Sequence, residues 1–449
     1  MKNARMEEFM KKRWVKVLMA VTLSTMMAIS LVGCGGSDKS TENKGENSGV
    51  IEIKYPTFRV GVQLSAAPEK QLIDDFNEKY KGKYKVVAEE LPSDQSYVDK
   101  MKVLAASSEL PDIIEGKDGL RELAIKNGQA IDLSDYVNSD SKYKETIGED
   151  AIKTNTVDGK LYSISSAKQL IGYFYNKELF KKAGVTPAKT WDEFMNNCDK
   201  LSNAGITPIS MMTGENCWAT NLLLGAMIGT ANDAGNALMK TKYPKTYETP
   251  EVTESLERMK TILSKYTTKD ALGSGYATTA NHFLQGQTAM LPNGTWMAAD
   301  FVDKDKAMEG FNDKVAVAMY PNDGLFTQYE IGYMVCSKDK AHQDAAFEFI
   351  KFKTSREAQL LYFKNTGTLP LINDLSNTDE FAQFKKENPL IADMILQAEK
   401  AKYTFNTLDN ISYSSVIDSM SQSYPSLAMG DIDAKTMAKN MTEAASKSK

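Results

Sequence analysis

Between residues 57 and 114 the chain alternates short apolar runs with amphipathic helical patterns, and this alternation restricts the fold more than any other feature. The run "TFRVGV" (57–62) predicts a strand. In "PEKQLIDDFNEKY", Leu72, Ile73, Phe76 and Tyr80 share one helical face after Pro68, a residue favoured in a first helical turn. "YKVVAEEL" predicts a second strand, "SYVDKMKVLAAS" a helix with Tyr97, Met101, Leu104 and Ala105 inward, and "PDII" (111–114) a buried third strand. A βαβαβ succession implies a parallel sheet with helices on its faces. Ligands of such open sheets sit beyond the carboxyl ends of the strands, which points to the residues just after 57–62 and 111–114.

The pattern continues with strands at "LYSISS" (161–166) and "LIGYFY" (170–175), then helices at 176–183 and 190–203. "KVAVAMY" and "IGYMVCS" resume the strands, and the last 70 residues are mostly helical by period. No unit of 20–50 residues recurs, which argues against a solenoid or propeller. The fold class is therefore α/β, with enough chain for two lobes.

The first residues read as an address, not as fold. Lys11, Lys12, Arg13 and Lys16 precede an uncharged apolar run from Val17 to Gly33 that meets Cys34. A basic start, an apolar run and small residues at a cut site describe a secretory signal over 1–33. The run is close to the roughly 18 residues of a membrane span, but two features oppose that reading. "LVGC" matches a bacterial lipobox, in which Cys34 receives lipid, and "GGSDKSTENKGENSG" has the composition of a flexible tether over 34–50. The expected product is exported and held by lipid on the outer face of the cell membrane. Removing 1–33, with six Lys/Arg and two Asp/Glu, takes the net charge from −5 to −9. An acidic body with no basic run does not suit nucleic acid.

Most catalytic chemistry lacks its residues. The only histidines, His282 and His342, have no spaced ligand partners and lie near no GxSxG elbow, so each reads as a solvated helix residue. There is no CxxC, HExxH, Walker loop or GxGxxG after a strand, and "GDIDAK" (430–435) lacks the glycine and distal glutamate of a calcium loop. No metal or cofactor is expected. Glu89 and Glu90 end a strand and Glu115 follows another, but neighbouring strand residues point to opposite faces, so Glu89 and Glu90 cannot act on one glycosidic bond. Cys198, Cys217 and Cys336 are an odd set that makes no complete disulfide framework; buried free thiols are expected, with a Cys198–Cys217 bridge as the alternative.

Several stretches together resemble a known family. "KMKVLAASSELPDII", "DGKLYSI", "GYFYNKELFKKAGVTPAKTWDEF", "FLQGQTAMLPNGTW" and "AAFEFIKFKTSREAQLLYFKNTGTLPL" occur in the order seen in extracellular solute-binding proteins of ABC importers, in the sugar-binding family that includes maltose-binding protein. The resemblance covers nearly all of 55–449. It implies two α/β lobes with parallel-rich sheets, joined by a hinge of several crossing strands, with ligand in the cleft between them. Crossings are expected near 164–169, 325–331 and 366–369, although "SISSAKQ" lacks the proline common at the first. The lobes would be 51–166 with 331–366, and 167–330 with 367–449. The implied protein is a monomer that performs no chemistry and delivers its solute to a membrane permease.

The residues themselves bear on the site. In "TWDEF", Thr190 and Glu193 form a capping-box pattern and Trp191 reads as a packing residue. Trp296 on its own reads as core filler before it reads as a stacking face; the resemblance reverses this and sets it on the second lobe, facing the cleft. A pyranose has a C–H face and a hydroxyl rim, so indoles suit the face and polar side chains the rim. Trp218 reads as platform or core, beside Glu215. Gln63, Glu115 and Lys117 follow first-lobe strands, and Tyr329 and Glu330 lie near a crossing. A sugar or oligosaccharide is the leading ligand. Another small solute and, in a different class, a surface glycosidase are the alternatives; few arginines in these segments weigh against a strongly anionic ligand.

Overall fold

The computed structural model describes residues 49–448 apart from 62, 64, 118, 373 and 374. The expected signal segment 1–33, Cys34 and the tether up to 48 lie outside the described residues. Among the described residues no helix is long and apolar enough to cross a membrane.

The first strand, β1 (Ile51–Thr57), lies parallel to β2 (Tyr84–Glu90), with Ile51 opposite Tyr84 and Thr57 opposite Glu90. Between them runs the helix Ala66–Lys79, which buries Leu72 and Phe76 and leaves Ile73 and Tyr80 half-buried. The strand expected at 57–62 thus starts and ends earlier. Ile53 and Tyr55 supply the inward face, whereas after Thr57 the chain turns: the Thr57 hydroxyl accepts from the Arg59 amide at 3.1 Å and Gly61 takes φ +63°. The helix Asp94–Ala106 is capped by Ser93, whose hydroxyl accepts from the Ser96 amide, and buries Tyr97, Val98, Met101 and Ala105.

The third strand, β3 (Ile113–Glu115), departs from the all-parallel expectation by pairing antiparallel with a strand from far downstream. The run 161–166 also differs. It yields only the short hairpin of β4 (Thr156–Val157) and β5 (Lys160–Leu161) and one isolated bridge from Ile164 to Tyr333. Its buried Ser165 takes the place of a ladder: the hydroxyl accepts from Asn155 Nδ2 and donates to the Glu330 carbonyl, both at 2.7 Å.

A second sheet is built on β6 (Lys168–Asn176), with β7 (Thr207–Ile209), β8 (Thr288–Gly294), β9 (Val315–Ala318), β10 (Gly324–Tyr329) and β12 (Tyr403–Phe405). The remaining strand, β11 (Tyr333–Val335), is the partner of β3. β6 runs antiparallel to β8, β9 and β10, while β7 is parallel to β8 and β12 to β10. The sheets are therefore mixed, not parallel-rich. The continuous apolar run of β6 reflects burial on both faces: Leu170 and Phe174 enter one core, Ile171 and Tyr173 the other. The motif at 430–435 is a helix junction, in which Gly430 (φ +84°) ends one helix and Asp433 caps the next by accepting from the Thr436 amide at 2.7 Å.

Trp191 is buried, its indole N–H donating to Thr230 Oγ1 at 2.7 Å, and Thr190 caps its helix as the sequence indicates. Cys198 and Cys217 are free and buried, with burial pushing each thiol up to about 12. His282 and His342 both sit on helices, beside Asp270 and Asp339.

The segments 164–168, 329–333 and 368–369 bond to one another between the two sheet-centred bodies. Ile164 bridges Tyr333, Lys168 bridges Leu369, and the Glu330 amide donates to the Ala167 carbonyl at 3.0 Å. Gly332 makes this approach feasible: its φ is +74°, and a Cβ there would lie 1.9 Å from the Ile164 carbonyl oxygen. The conformation alone costs a non-glycine residue about 1–3 kcal/mol, and the clash adds to it. Gly332→Ala should lose about 2–4 kcal/mol in urea unfolding; wild-type stability would mean that the segments separate more easily than this packing implies.

Candidate functional site

Two groups of side chains stand out, one on each body. On the second, β8 ends at Gly294 and passes into the 3₁₀-helix Thr295–Phe301. A Cβ at Gly294 would lie 2.0 Å from Trp296 Cζ3, so the indole lies over this glycine. Trp296 remains 36 % exposed, which removes it from the core. Glu215, Asn216 and Cys217 have φ of 49°, 55° and 59°, three successive left-handed residues immediately before the helix Trp218–Gly229. This costly turn sets Trp218, half-buried, 6.5 Å from Trp296 and 4.8 Å from Tyr276 by ring centroids. Tyr276 is held by Asn293, whose amide donates to the phenol oxygen at 3.0 Å.

Glu215 has a local duty. Its Oε2 accepts from the Tyr276 amide at 3.1 Å, so it caps the helix Tyr276–Leu284 and ties that helix to the Trp218 turn. Gly275 allows this, since a Cβ there would lie 2.3 Å from Glu215 Oε1. Glu215, Trp218 and Trp296, three of the expected residues, are thus brought together with Tyr276, which the sequence reading missed. Its signal was a glycine-rich "GSGY" opening a helix.

On the first body, Glu115 at the end of β3 is buried and accepts from Arg59 through both oxygens, at 3.1 Å from Nε and 3.0 Å from Nη2. Arg59 also lies 3.6 Å from Glu330, which accepts from Ser166 Oγ at 2.6 Å and Gln169 Nε2 at 3.2 Å. Burial would raise the Glu115 carboxyl, but Arg59 outweighs it and holds the group below the usual carboxylate range. Lys117 pairs with Asp94 at 2.5 Å and stands 4.8 Å from the Phe58 ring.

Gln63 lies exposed in the turn after β1, and Tyr329 sits at the crossing, with Lys168 Nζ 5.6 Å from its ring and its carbonyl accepting from Asn410. These two join neither group through the bonds described here. Arg59 was missed: one basic residue after a strand carries no spacing that distinguishes it from an exposed charge.

A small cavity is lined by Lys102, Gly119, Asn216, Asp409, Ser412, Ser414, Ile417 and Asp418. Asn216 adjoins the Trp218 turn. Its lining mixes charged groups (Lys102, Asp409, Asp418) with small polar side chains and Ile417. Among the described residues no group of His, Cys, Asp or Glu is placed to hold a metal ion.

Comparison with known proteins places the chain. The family model described as "Bacterial extracellular solute-binding protein" matches residues 71–391. A multiple sugar-binding protein of Streptococcus mutans is 23 % identical over 375 residues, 79 % of this chain and 82 % of the relative. An arabinooligosaccharide-binding protein of Bacillus subtilis is 24 % identical over 388 residues, 84 % of each chain. Among solved structures, a chitin oligosaccharide binding protein superposes with TM-score 0.74 at 24 % identity, covering 89 % of this chain and 99 % of the other. A Streptococcus pneumoniae solute-binding protein in complex with the blood group A-trisaccharide also gives 0.74, at 22 % identity, covering 88 % and 98 %. The two-lobe fold is thus that of solute-binding proteins, and this chain belongs to the family of bacterial extracellular solute-binding proteins.

Proposed function

We propose that this exported protein captures a sugar or oligosaccharide in the cleft between its lobes and delivers it intact to a membrane ABC permease. The observation that carries the reading is the aromatic cluster of Trp218, Tyr276 and Trp296, in which Trp296 presents a ring that is 36 % exposed. The sugar-binding names of several relatives support it. The ligand-facing set is Trp218, Tyr276 and Trp296, with Glu215 beside it; Gln63, Lys117 and Tyr329 would reach the ligand from outside this cluster. Arg59, Glu115 and Glu330 form the charged floor where the lobes meet. The lobes are 51–166 with 331–366 and 167–330 with 367–449, and closure is a hinge motion about the crossing segments. Binding lowers the free energy of the closed form, which the permease reads.

Glu115 does not supply the acid that hydrolysis would need. A glycosidase needs an acid whose pKa is raised, whereas Arg59 holds Glu115 low. A thermal-shift screen of the purified protein against mono- and oligosaccharides tests the reading, because ligand at 100 times its Kd stabilises by about 2.7 kcal/mol. Absence of any shift at millimolar sugar would count heavily against it.

The same reading includes a lipid anchor on Cys34, supported by "LVGC" and the polar stretch after it. Cys34→Ser should move the protein from the membrane fraction to the soluble fraction with an unchanged unfolding curve. A processed mutant that stays with membranes would show attachment by other means.

A further inference from the structure

The lobes also touch outside the hinge segments, next to the cavity that Gly119, Ser412 and Ser414 line. On the second lobe, Lys242 and Tyr243 lie in the loop after the helix Asp233–Leu238. Tyr243 has φ +52°, and its ring stacks on Tyr413 at 4.6 Å with 21° between planes. Its hydroxyl reaches the first-lobe helix Leu120–Lys126, where it accepts from Arg121 Nη2 at 3.2 Å and donates to Glu122 Oε1. Arg121 is 1 % exposed, an unusual burial for a guanidinium, and its second acceptor on the same nitrogen is Glu122 at 3.3 Å. Lys242 Nζ donates to the carbonyls of Thr154 and Thr156, also on the first lobe. Close by, Gly119 meets Ser414 across the same seam, where a Cβ would lie 2.6 Å from Ser414 Cβ.

We infer that the Lys242–Tyr243 loop is an interlobe clasp, which lowers the free energy of the closed form independently of the sugar and so sets how much of the ligand-free protein is already closed.

The two halves of the clasp contribute differently. Burying Lys242 is costly: desolvation first, then repulsion by Arg121, bring its ammonium down to about 8, with Glu122 opposing. Its bonds to Thr154 and Thr156 offset part of that cost, and Tyr243 adds two hydrogen bonds from its hydroxyl to charged partners. A left-handed tyrosine is a conformation that needs compensation, and the stack on Tyr413 together with these bonds supplies it. A clasp of this kind tightens the ligand by raising the competent fraction of the free protein.

Tyr243→Phe tests this selectively. It keeps the stack on Tyr413 within the second lobe and removes only the hydroxyl that crosses the seam. The readout is the distance between spin labels in the ligand-free protein, on Val103→Cys (68 % exposed) in the first lobe and Met429→Cys (64 % exposed) in the second. A Cys34→Ser background keeps labelling selective, because the cysteines of the described residues are buried. Without Tyr243's hydroxyl the ratio of closed to open distances should fall about tenfold, the equivalent of one charge-assisted hydrogen bond, while the unfolding midpoint stays within a degree or two of the parent. A distance distribution unchanged by Tyr243→Phe would overturn the clasp, as would an opening matched by general loss of stability.

Discussion

Trp296→Ala should weaken sugar binding by about thirty- to a thousandfold, or about 2–4 kcal/mol, and leave fold stability nearly unchanged. An aromatic ring buries on the order of 150–250 Å² when fully covered, worth several kcal/mol at about 25 cal/mol per Å². Only part of the indole meets a ligand, and association carries ordering costs, so the net effect is smaller. The stability half of the expectation follows from position. The ring is already 36 % exposed and leans on Gly294, which has no side chain to lose contact with. A core tryptophan would behave in the opposite way, costing about 3–5 kcal/mol of stability. Titration calorimetry and denaturant unfolding on the same variant separate the two outcomes; intact affinity in a destabilised protein would return Trp296 to the core.

Glu69→Ala should cost about 3–5 kcal/mol of stability without touching the cleft. Glu69 and Lys353 form an ion pair at 2.5 Å in the first lobe, each side chain 1 % exposed. The Glu69 carboxylate also accepts from the hydroxyls of Tyr55, at 2.8 Å, and Tyr362. Removing it leaves the Lys353 ammonium, among the described residues, with only the Tyr55 hydroxyl, at 2.9 Å, and takes the acceptor from two buried phenols. Burial already brings Lys353 below the usual lysine range, with Glu69 opposing that shift. Without Glu69 the folded-state value falls further. The folded variant then holds fewer protons than the unfolded chain between that lowered value and the ordinary lysine range, so its stability rises with pH through that window. The deficit measured by urea unfolding should therefore be smaller at pH 9 than at pH 7. A pairing of Glu69→Leu with Lys353→Met should recover the part of the loss that comes from the unpaired ammonium, since apolar replacements of a buried pair are often neutral, while the Tyr55 and Tyr362 hydroxyls stay without that acceptor; a double variant as unstable as the single would contradict the ion-pair account.

How far the sequence reveals this molecule depends on the range of the interaction involved. Helices with a clear period and cap, such as Trp191–Asn203 behind Thr190, are legible because their determinants lie within four residues. Strand limits are less so. The end of β1 is set by the Thr57 hydroxyl bonding the Arg59 amide, a turn hidden inside an apolar run. The run 161–166 alternates like a strand, yet its serines bond to Asn155 and Glu330, the latter 165 residues from Ser165. The orientation of β3 is likewise decided by β11, far along the chain.

The site divides in the same way. Trp218 and Trp296 are rare residues beside turns and announce themselves; the structure puts their rings 6.5 Å apart. Tyr276 belongs with them only because Glu215 caps its helix across 61 residues. Arg59 acquires its importance from Glu115 and Glu330, which only folding brings within 3.6 Å. A single sequence contains these partners without their pairing. That is also why the Lys242–Tyr243 loop reads as an ordinary polar connection until Arg121 and Glu122 are seen against it.

The central claim is that this protein binds a sugar in its cleft and leaves it unchanged. The most direct measurement is titration calorimetry against the oligosaccharides that shift its melting temperature, followed by mass analysis of sugar recovered from the complex. The expected result is saturable binding of one sugar per chain, with the recovered sugar identical to that supplied. Shortened products, or no heat from any sugar at millimolar concentration, would contradict the account.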